Sequence, residues 1–146
     1  MKRVFDLLNE KGRAIWSLTP EATVYEAIER MADKNIGALL VMEDERLVGI
    51  LSERDYARKV ILKGKSSRET RVREIMSHPV ICIPPEATVQ RAMSLMTDHH
   101  VRHLPVAVKE RVVAVISIGD VVRGIIDDKQ SEIEELTNYI TQDPNL

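Results

Sequence analysis

Two tetrads in this sequence pair a hydroxyl with a carboxylate at the same spacing: Ser52-Glu53-Arg54-Asp55 and Ser117-Ile118-Gly119-Asp120. A serine followed three residues on by an acid is a helix-start signature, in which the hydroxyl takes a free backbone amide. The same geometry suits a ligand. A helix N-terminus exposes unpaired amides and a partial positive charge, which favours phosphate. An aspartate in the first turn can accept hydrogen bonds from two adjacent ribose hydroxyls. Serine can cap while aspartate binds, so the readings are compatible, and repetition does not choose between them because a duplicated cap also repeats. Arg54 and Arg58 flank the first aspartate. Arg102 and His103 precede Leu104-Pro105-Val106, where the first half of the chain has Gly37 and Ala38. That difference in charge fits two unlike pockets and equally fits drift on a surface.

Other chemistry-bearing residues carry less. Gly64-Lys65-Ser66 ends like a phosphate-binding loop, but the required upstream glycine is Lys59, so the motif fails. His99 and His103 have a metal-binding spacing only on a continuous helix, and the helix is expected to end near His99. No H-E-x-x-H and no cysteine pair accompany them. Cys82 is expected as a small apolar residue on a buried strand. The basic segment 63–74 has no aromatic and reads as a solvated linker rather than a nucleic-acid contact.

The elements that position the tetrads are themselves duplicated. Residues 17–60 align without a gap on 82–125 at an offset of 65, with 16 of 44 positions identical. Pro20-Glu21-Ala22-Thr23-Val24 recurs as Pro85-Glu86-Ala87-Thr88-Val89. Each copy starts with a short extended piece, 14–18 or 80–83, ended by proline. A helix follows from Thr23 or Thr88, where Thr23-x-x-Glu26 spells a capping box. Val24, Ala27, Ile28 and Met31 lie at helical spacing, as do Val89, Ala92, Met93 and Met96, which marks these methionines as core. Two strands rich in Val, Ile and Leu come next, 37–42 with 47–51 and 102–108 with 112–116. A second helix starts at each serine of the tetrads. The repeat is β-α-β-β-α. Residues 1–10 suggest a short helix, and 131–142 a separate amphipathic helix capped by Ser131, with Ile133, Leu136 and Ile140 on one face. A helix that short is marginal without a partner surface.

The 146 residues, 44% hydrophobic and 30% charged, are globular in composition. Only Phe5, Trp16, Tyr25, Tyr56 and Tyr139 are aromatic, so the core is aliphatic. A net charge of −2 gives no overall pull toward nucleic acid or anionic membrane. One cysteine excludes an internal disulfide and fits a reducing compartment. The longest apolar run, 112–118, is too short to span a bilayer, and Asp6 breaks the N-terminal apolar run as no signal peptide would. These features lead us to expect a soluble cytoplasmic protein.

The chain resembles a tandem pair of CBS domains, the cystathionine-β-synthase-type regulatory module, and is most similar to stand-alone two-repeat members. The resemblance covers about residues 12–126 and rests on Met76-Ser77-x-Pro79-Val80, Val101-Arg102-His103-Leu104-Pro105-Val106, Gly49-Ile50-Leu51-Ser52-Glu53-Arg54-Asp55 and the run ending Ser117-Ile118-Gly119-Asp120. It implies an α/β (α+β) fold in which two β-α-β-β-α repeats pack as a pseudo-twofold disc, with short N- and C-terminal helices. The expected division is an N-terminal segment 1–11, repeat one 12–62, a linker 63–74, repeat two 75–128 and a C-terminal helix and tail 129–146.

The resemblance also implies two adenosyl-ligand clefts drawing on both repeats, with no obligatory cofactor and no catalytic or metal-binding residue. One cleft would use Ser117, Gly119 and Asp120 with Ala14, Ile15 and Trp16. The other would use Ser52, Arg54 and Asp55 with Ser77, Pro79, Val80 and Ile81. Gly37 would lie on a first strand, and Arg102 and His103, with Arg58, where phosphates meet. The ligands implied are AMP, ADP, ATP or NAD(H), and the partners are a second copy of the chain and a regulated protein. Two departures stand out: Ala114 where repeat one has Gly49, and Lys11-Gly12-Arg13-Ala14 in place of the Met-Ser-x-Pro lead-in at 76–79. The alternatives are a nucleotide-independent dimeric or redox-partner scaffold and, more remotely, a metal enzyme at the histidines.

Overall fold

The computed structural model describes residues 1–142, and the last residues of the expected tail, 143–146, lie outside it. The element order is α1 (Val4–Lys11), β1 (Ser17–Leu18), α2 (Val24–Lys34), β2 (Ala38–Glu43), β3 (Arg46–Ser52), α3 (Glu53–Tyr56) running into a wider π-helical stretch (Ala57–Ile61), α4 (Val72–Ile75), α5 (Val89–His99), β4 (His103–Val108), β5 (Arg111–Ser117) and α6 (Ile118–Gln142). The β-α-β-β-α order is complete in the first repeat, whereas in the second the expected strand at 80–83 is reduced to one isolated bridge at Ile83, and the chain forms two compact units. The chain does not fill them in sequence order. Residues 14–81 with 109–112 make one unit, and residues 1–13, 82–108 and the described residues from 113 onward make the other.

In the first-repeat unit, β1 pairs parallel with β2, and β2 antiparallel with β3 from Ala38↔Ser52 to Glu43↔Arg46. The expected extended lead-in of 14–18 shortens to the two residues of β1. Strand and helix bury one face each against a common core of Leu18, Val24, Ala27, Met31, Leu39, Val41, Leu51, Val60, Val72 and Ile75. Thr23 caps α2 by accepting from Glu26 N–H at 3.1 Å. Only this hydroxyl half of the anticipated box is seen among the described residues. The backbone there pairs instead with the segment before α4, Val24 N–H to Thr70 O at 2.9 Å and Val72 N–H to Ala22 O at 2.8 Å. Asn35, in the left-handed conformation at φ 53°, ends the helix.

Residues 63–74 are therefore more than a solvated linker. Thr70 is buried, with its hydroxyl donating to Ser66 O at 2.7 Å, and Val72 and Ile75 join the core. The charges of Arg71, Arg73 and Glu74 hide that i, i+3 apolar pair in the sequence.

The second-repeat unit repeats the plan. Thr88 caps α5 through Arg91 N–H at 3.0 Å, and His100 ends it at φ 54°, the counterpart of Asn35. Strands β4 and β5 pair, and Ile83 makes the single parallel bridge to Val106 that corresponds to Leu18 beside Val41. Helix α1 supplies Val4, Leu7 and Leu8 to this unit, all buried. It sits against α6 so closely that a Cβ on Gly124 would lie 2.8 Å from a Leu7 methyl. The N-terminus is strapped down by Lys2 N–H, which donates to both carboxylate oxygens of Asp128 at 2.9 Å.

Two expectations are corrected. The helix starting after Ser117 does not stop near Ile126: α6 runs unbroken for 25 residues, so Ser131 is mid-helix and caps nothing. No glycine or proline lies between 125 and 142 to end it. Cys82 is exposed rather than buried, although enough of its surroundings are dry to raise the thiol pKa.

Candidate functional site

Both tetrads form the caps that their spacing predicts. Ser52 N–H donates to Asp55 Oδ2 at 3.0 Å, and Asp55 N–H returns to Ser52 Oγ at 3.1 Å. Ser117 N–H donates to Asp120 Oδ2 at 2.8 Å, and Asp120 N–H to Ser117 Oγ at 3.3 Å. Each aspartate is thus locked in one rotamer with little exposure, 13% for the Asp55 side chain and 12% for Asp120. Each tetrad is also tied to the start of its own β-hairpin: Glu53 N–H donates to Gly37 O at 3.1 Å, and Ile118 N–H to Arg102 O at 2.8 Å.

In the first-repeat unit, Ser77 completes the Asp55 site. It extends the sheet beyond β3, exchanging hydrogen bonds with Ile50: Ser77 N–H to Ile50 O at 2.9 Å and Ile50 N–H to Ser77 O at 3.1 Å. That register aims its hydroxyl at Asp55 Oδ1, 3.0 Å away. Lys59, from the π-helical stretch, reaches the same oxygen at 3.1 Å and also donates to Ile75 O at 3.0 Å. Lys59 was not singled out from sequence, yet its i, i+4 relation to Asp55 is the signal that finds it. Arg54 and Arg58 are exposed beside this cluster, Pro79 is exposed, and Val80 and Ile81 are half-buried.

The second-repeat site is built differently. Helix α1 ends a full turn beyond its counterpart α4, and Lys11 sits on that extra turn. Its ammonium donates to Asp120 Oδ2 at 2.7 Å and to Val115 O at 2.8 Å. Val115 corresponds to Ile50, so one ammonium stands where the first repeat uses both the N–H and the hydroxyl of Ser77. Arg123 approaches Asp120 Oδ1 at 3.9 Å. Burial pushes the Asp120 pKa up, but the hydrogen bonds and charge of Lys11 with those of Ser117 outweigh it, and the net shift is downward. His103 lies in the same field. Burial first, then Lys11 and Arg102, lower its pKa against the opposing pull of Asp120, which disfavours the charged imidazolium.

The lead-in explains the glycine difference as well. Met76 packs onto Gly49, where a Cβ would lie 2.5 Å from the sulfur. The second repeat carries no such methionine at its lead-in, and Ala114 fits there fully buried.

Ser52, Asp55 and Ser77 are thus brought together, as are Ser117, Asp120 and His103. Gly119 is exposed next to Ser117, and Arg102 is exposed at the start of β4. Ala14, Ile15 and Trp16, expected to serve the Asp120 cleft, are exposed and belong to the other compact unit. Trp16 receives the Lys34 ammonium 4.4 Å above its ring, and Trp16 O accepts from Leu40 N–H at 3.1 Å. His99 ends α5 and His103 begins β4, so they do not share a helix face. No group of three or more His, Cys, Asp or Glu side chains gathers for a metal among the described residues.

The CBS-domain family model matches residues 6–62 and 72–127. The chain belongs to the CBS-domain family. The match begins inside α1 and resumes at α4, the two helices that precede the repeats. Among curated CBS-domain proteins, the chain is 40% identical to the mitochondrial CBSX3 of Arabidopsis thaliana over 94% of its own length and 71% of that protein's. It is 32% identical to YhcV of Bacillus subtilis, over 71% and 74% of the two chains. Among solved structures it is similar to a candidate signal-transduction protein with CBS domains from Burkholderia ambifaria, at 45% identity and a TM-score of 0.84, covering 87% of this chain and 96% of that one. A CBS-domain protein of Agrobacterium tumefaciens matches at 34% identity and a TM-score of 0.80, covering 84% and 98%. No helix among the described residues is long and apolar enough to cross a membrane.

Proposed function

We propose that this CBS pair is a non-enzymatic cytoplasmic regulator that senses adenine nucleotides (AMP, ADP, ATP) or NAD(H) and passes the result to a partner protein, acting as a homodimer. The observation that carries this reading is the pair of capped, largely buried aspartates, Asp55 and Asp120, each with its rotamer fixed by a serine cap and its charge partnered by a lysine. A carboxylate so fixed presents acceptors to a ribose diol without an ordering cost at the moment of binding. The similar Burkholderia protein, described as a candidate for signal transduction, supports a regulatory role. A ligand can regulate only through its difference in affinity between two states of the protein.

Thermal and urea melts with AMP, ATP and NADH test this directly. A ligand at about 100 times its dissociation constant adds about 2.7 kcal/mol of stability, and Asp55→Ala and Asp120→Ala should each reduce that gain. A flat response to every adenosyl ligand would overturn the reading. It would favour a nucleotide-independent scaffold, for which the specific support is the exposed row Ile133, Leu136, Tyr139 and Ile140 on α6.

A further inference from the structure

Resting on the nucleotide-sensing reading, we propose that Lys11 sets ligand choice at the Asp120 site, making it selective for phosphorylated adenosyl ligands over uncharged adenosine. The two sites share a serine cap, an aspartate and a sheet-edge carbonyl, and they differ in what faces these groups from the preceding helix. At Asp55 the donor on that side is the neutral Ser77, whose hydroxyl lies 3.0 Å from the carboxylate and whose N–H serves Ile50 O, while the ammonium, Lys59 at 3.1 Å, comes from the helix that follows the aspartate. At Asp120 the donor is a primary ammonium, 2.7 Å from the carboxylate and 2.8 Å from Val115 O.

That ammonium acts in two ways. It competes with a ribose hydroxyl for Asp120 Oδ2, which weakens binding of the bare nucleoside. It also leaves the cluster with excess positive charge: Lys11 at 2.7 Å and Arg123 at 3.9 Å share the single carboxylate of Asp120. A ligand bringing a phosphate supplies an anion to which the flexible lysine stem can swing when the ribose takes the carboxylate. A nucleoside without phosphate must displace Lys11 and offers nothing in return.

The test is calorimetric titration of the full chain with adenosine, AMP and ATP in an Asp55→Asn background, which isolates the Asp120 site. Lys11→Gln should lower the AMP-over-adenosine affinity ratio about tenfold with adenosine affinity unchanged or raised, and Lys11→Arg should restore the ratio. Lys11→Met gives an independent second variant if the glutamine chain folds poorly. An unchanged ratio in the folded variants overturns the proposal, as does an equal loss for all three ligands, which would mark Lys11 as structural only. Failure of the unsubstituted chain to bind any of the three overturns the nucleotide reading itself, and this proposal with it.

Discussion

Small local differences between duplicated positions carry most of the chemistry here. Gly49 and Ala114 occupy equivalent sites, and Met76 packs directly onto the first. Gly49→Ala should therefore cost about 1–3 kcal/mol by overpacking, read as a lowered urea midpoint, and most of that cost should vanish in a Met76→Ala background. Charge differs in the same way. Both Asp120 and His103 have folded pKa values below their ordinary ones. A depressed pKa means that the unfolded chain binds the proton more readily, so stability is full above the unfolded value and declines as pH falls toward the folded one. The His103 contribution is present above about pH 6.5 and is lost below it, and the Asp120 contribution follows below about pH 3.8. Replacing His103 by glutamine should flatten the stability curve just below neutrality while leaving the more acidic limb in place, as urea melts across pH would show. The tetrads themselves were legible because a serine–aspartate cap is local. Lys11 was not, because its link to Asp120 spans 109 positions and breaks the repeat pattern.

At the scale of elements, periodicity located the helices and strands of both repeats, since each buries one face at its own period. It failed where burial depends on few residues. Helix α4 places only Val72 and Ile75 in the core among charged neighbours. The continuity of α6 was missed because Asp127-Asp128-Lys129-Gln130 reads as a polar break, whereas Asp128 is only 8% exposed and receives the Lys2 backbone on both oxygens. This clasp fixes the start of α1 and, through the helix, the position of Lys11 at its far end. Asp128→Ala should cost about 1–3 kcal/mol, the range for stranding a hydrogen-bonded group, and should raise amide exchange over residues 2–8 more than elsewhere. Equal exchange throughout the chain would mean that the clasp does not govern α1.

For the whole molecule, the duplication read from sequence and the compact units of the structure follow different boundaries. The 65-residue offset holds across the repeats, but the preceding helices match at 68, because Arg3 and Arg71 occupy equivalent places beside Thr88 and Thr23. The additional turn of α1 takes up that three-residue difference. Each repeat is completed by the helix that precedes the other: α1 belongs with the second, α4 with the first. Removing residues 1–11 should therefore damage the distant repeat rather than the adjoining one. The deletion strips Val4, Leu7 and Leu8 from the second-repeat core, at about 1.5–3 kcal/mol for each buried side chain. Their sum, about 4.5–9 kcal/mol, rivals the entire stability of a small domain. The first-repeat core, Leu18 to Ile75, loses none of its members. Hydrogen exchange on the truncated chain should show protection collapsing over α5, β4 and the start of α6 while β2, β3 and α2 retain more of theirs. Protection lost first over β2 and β3 instead would mean that the second repeat does not depend on α1, and that the chain folds by its sequence halves.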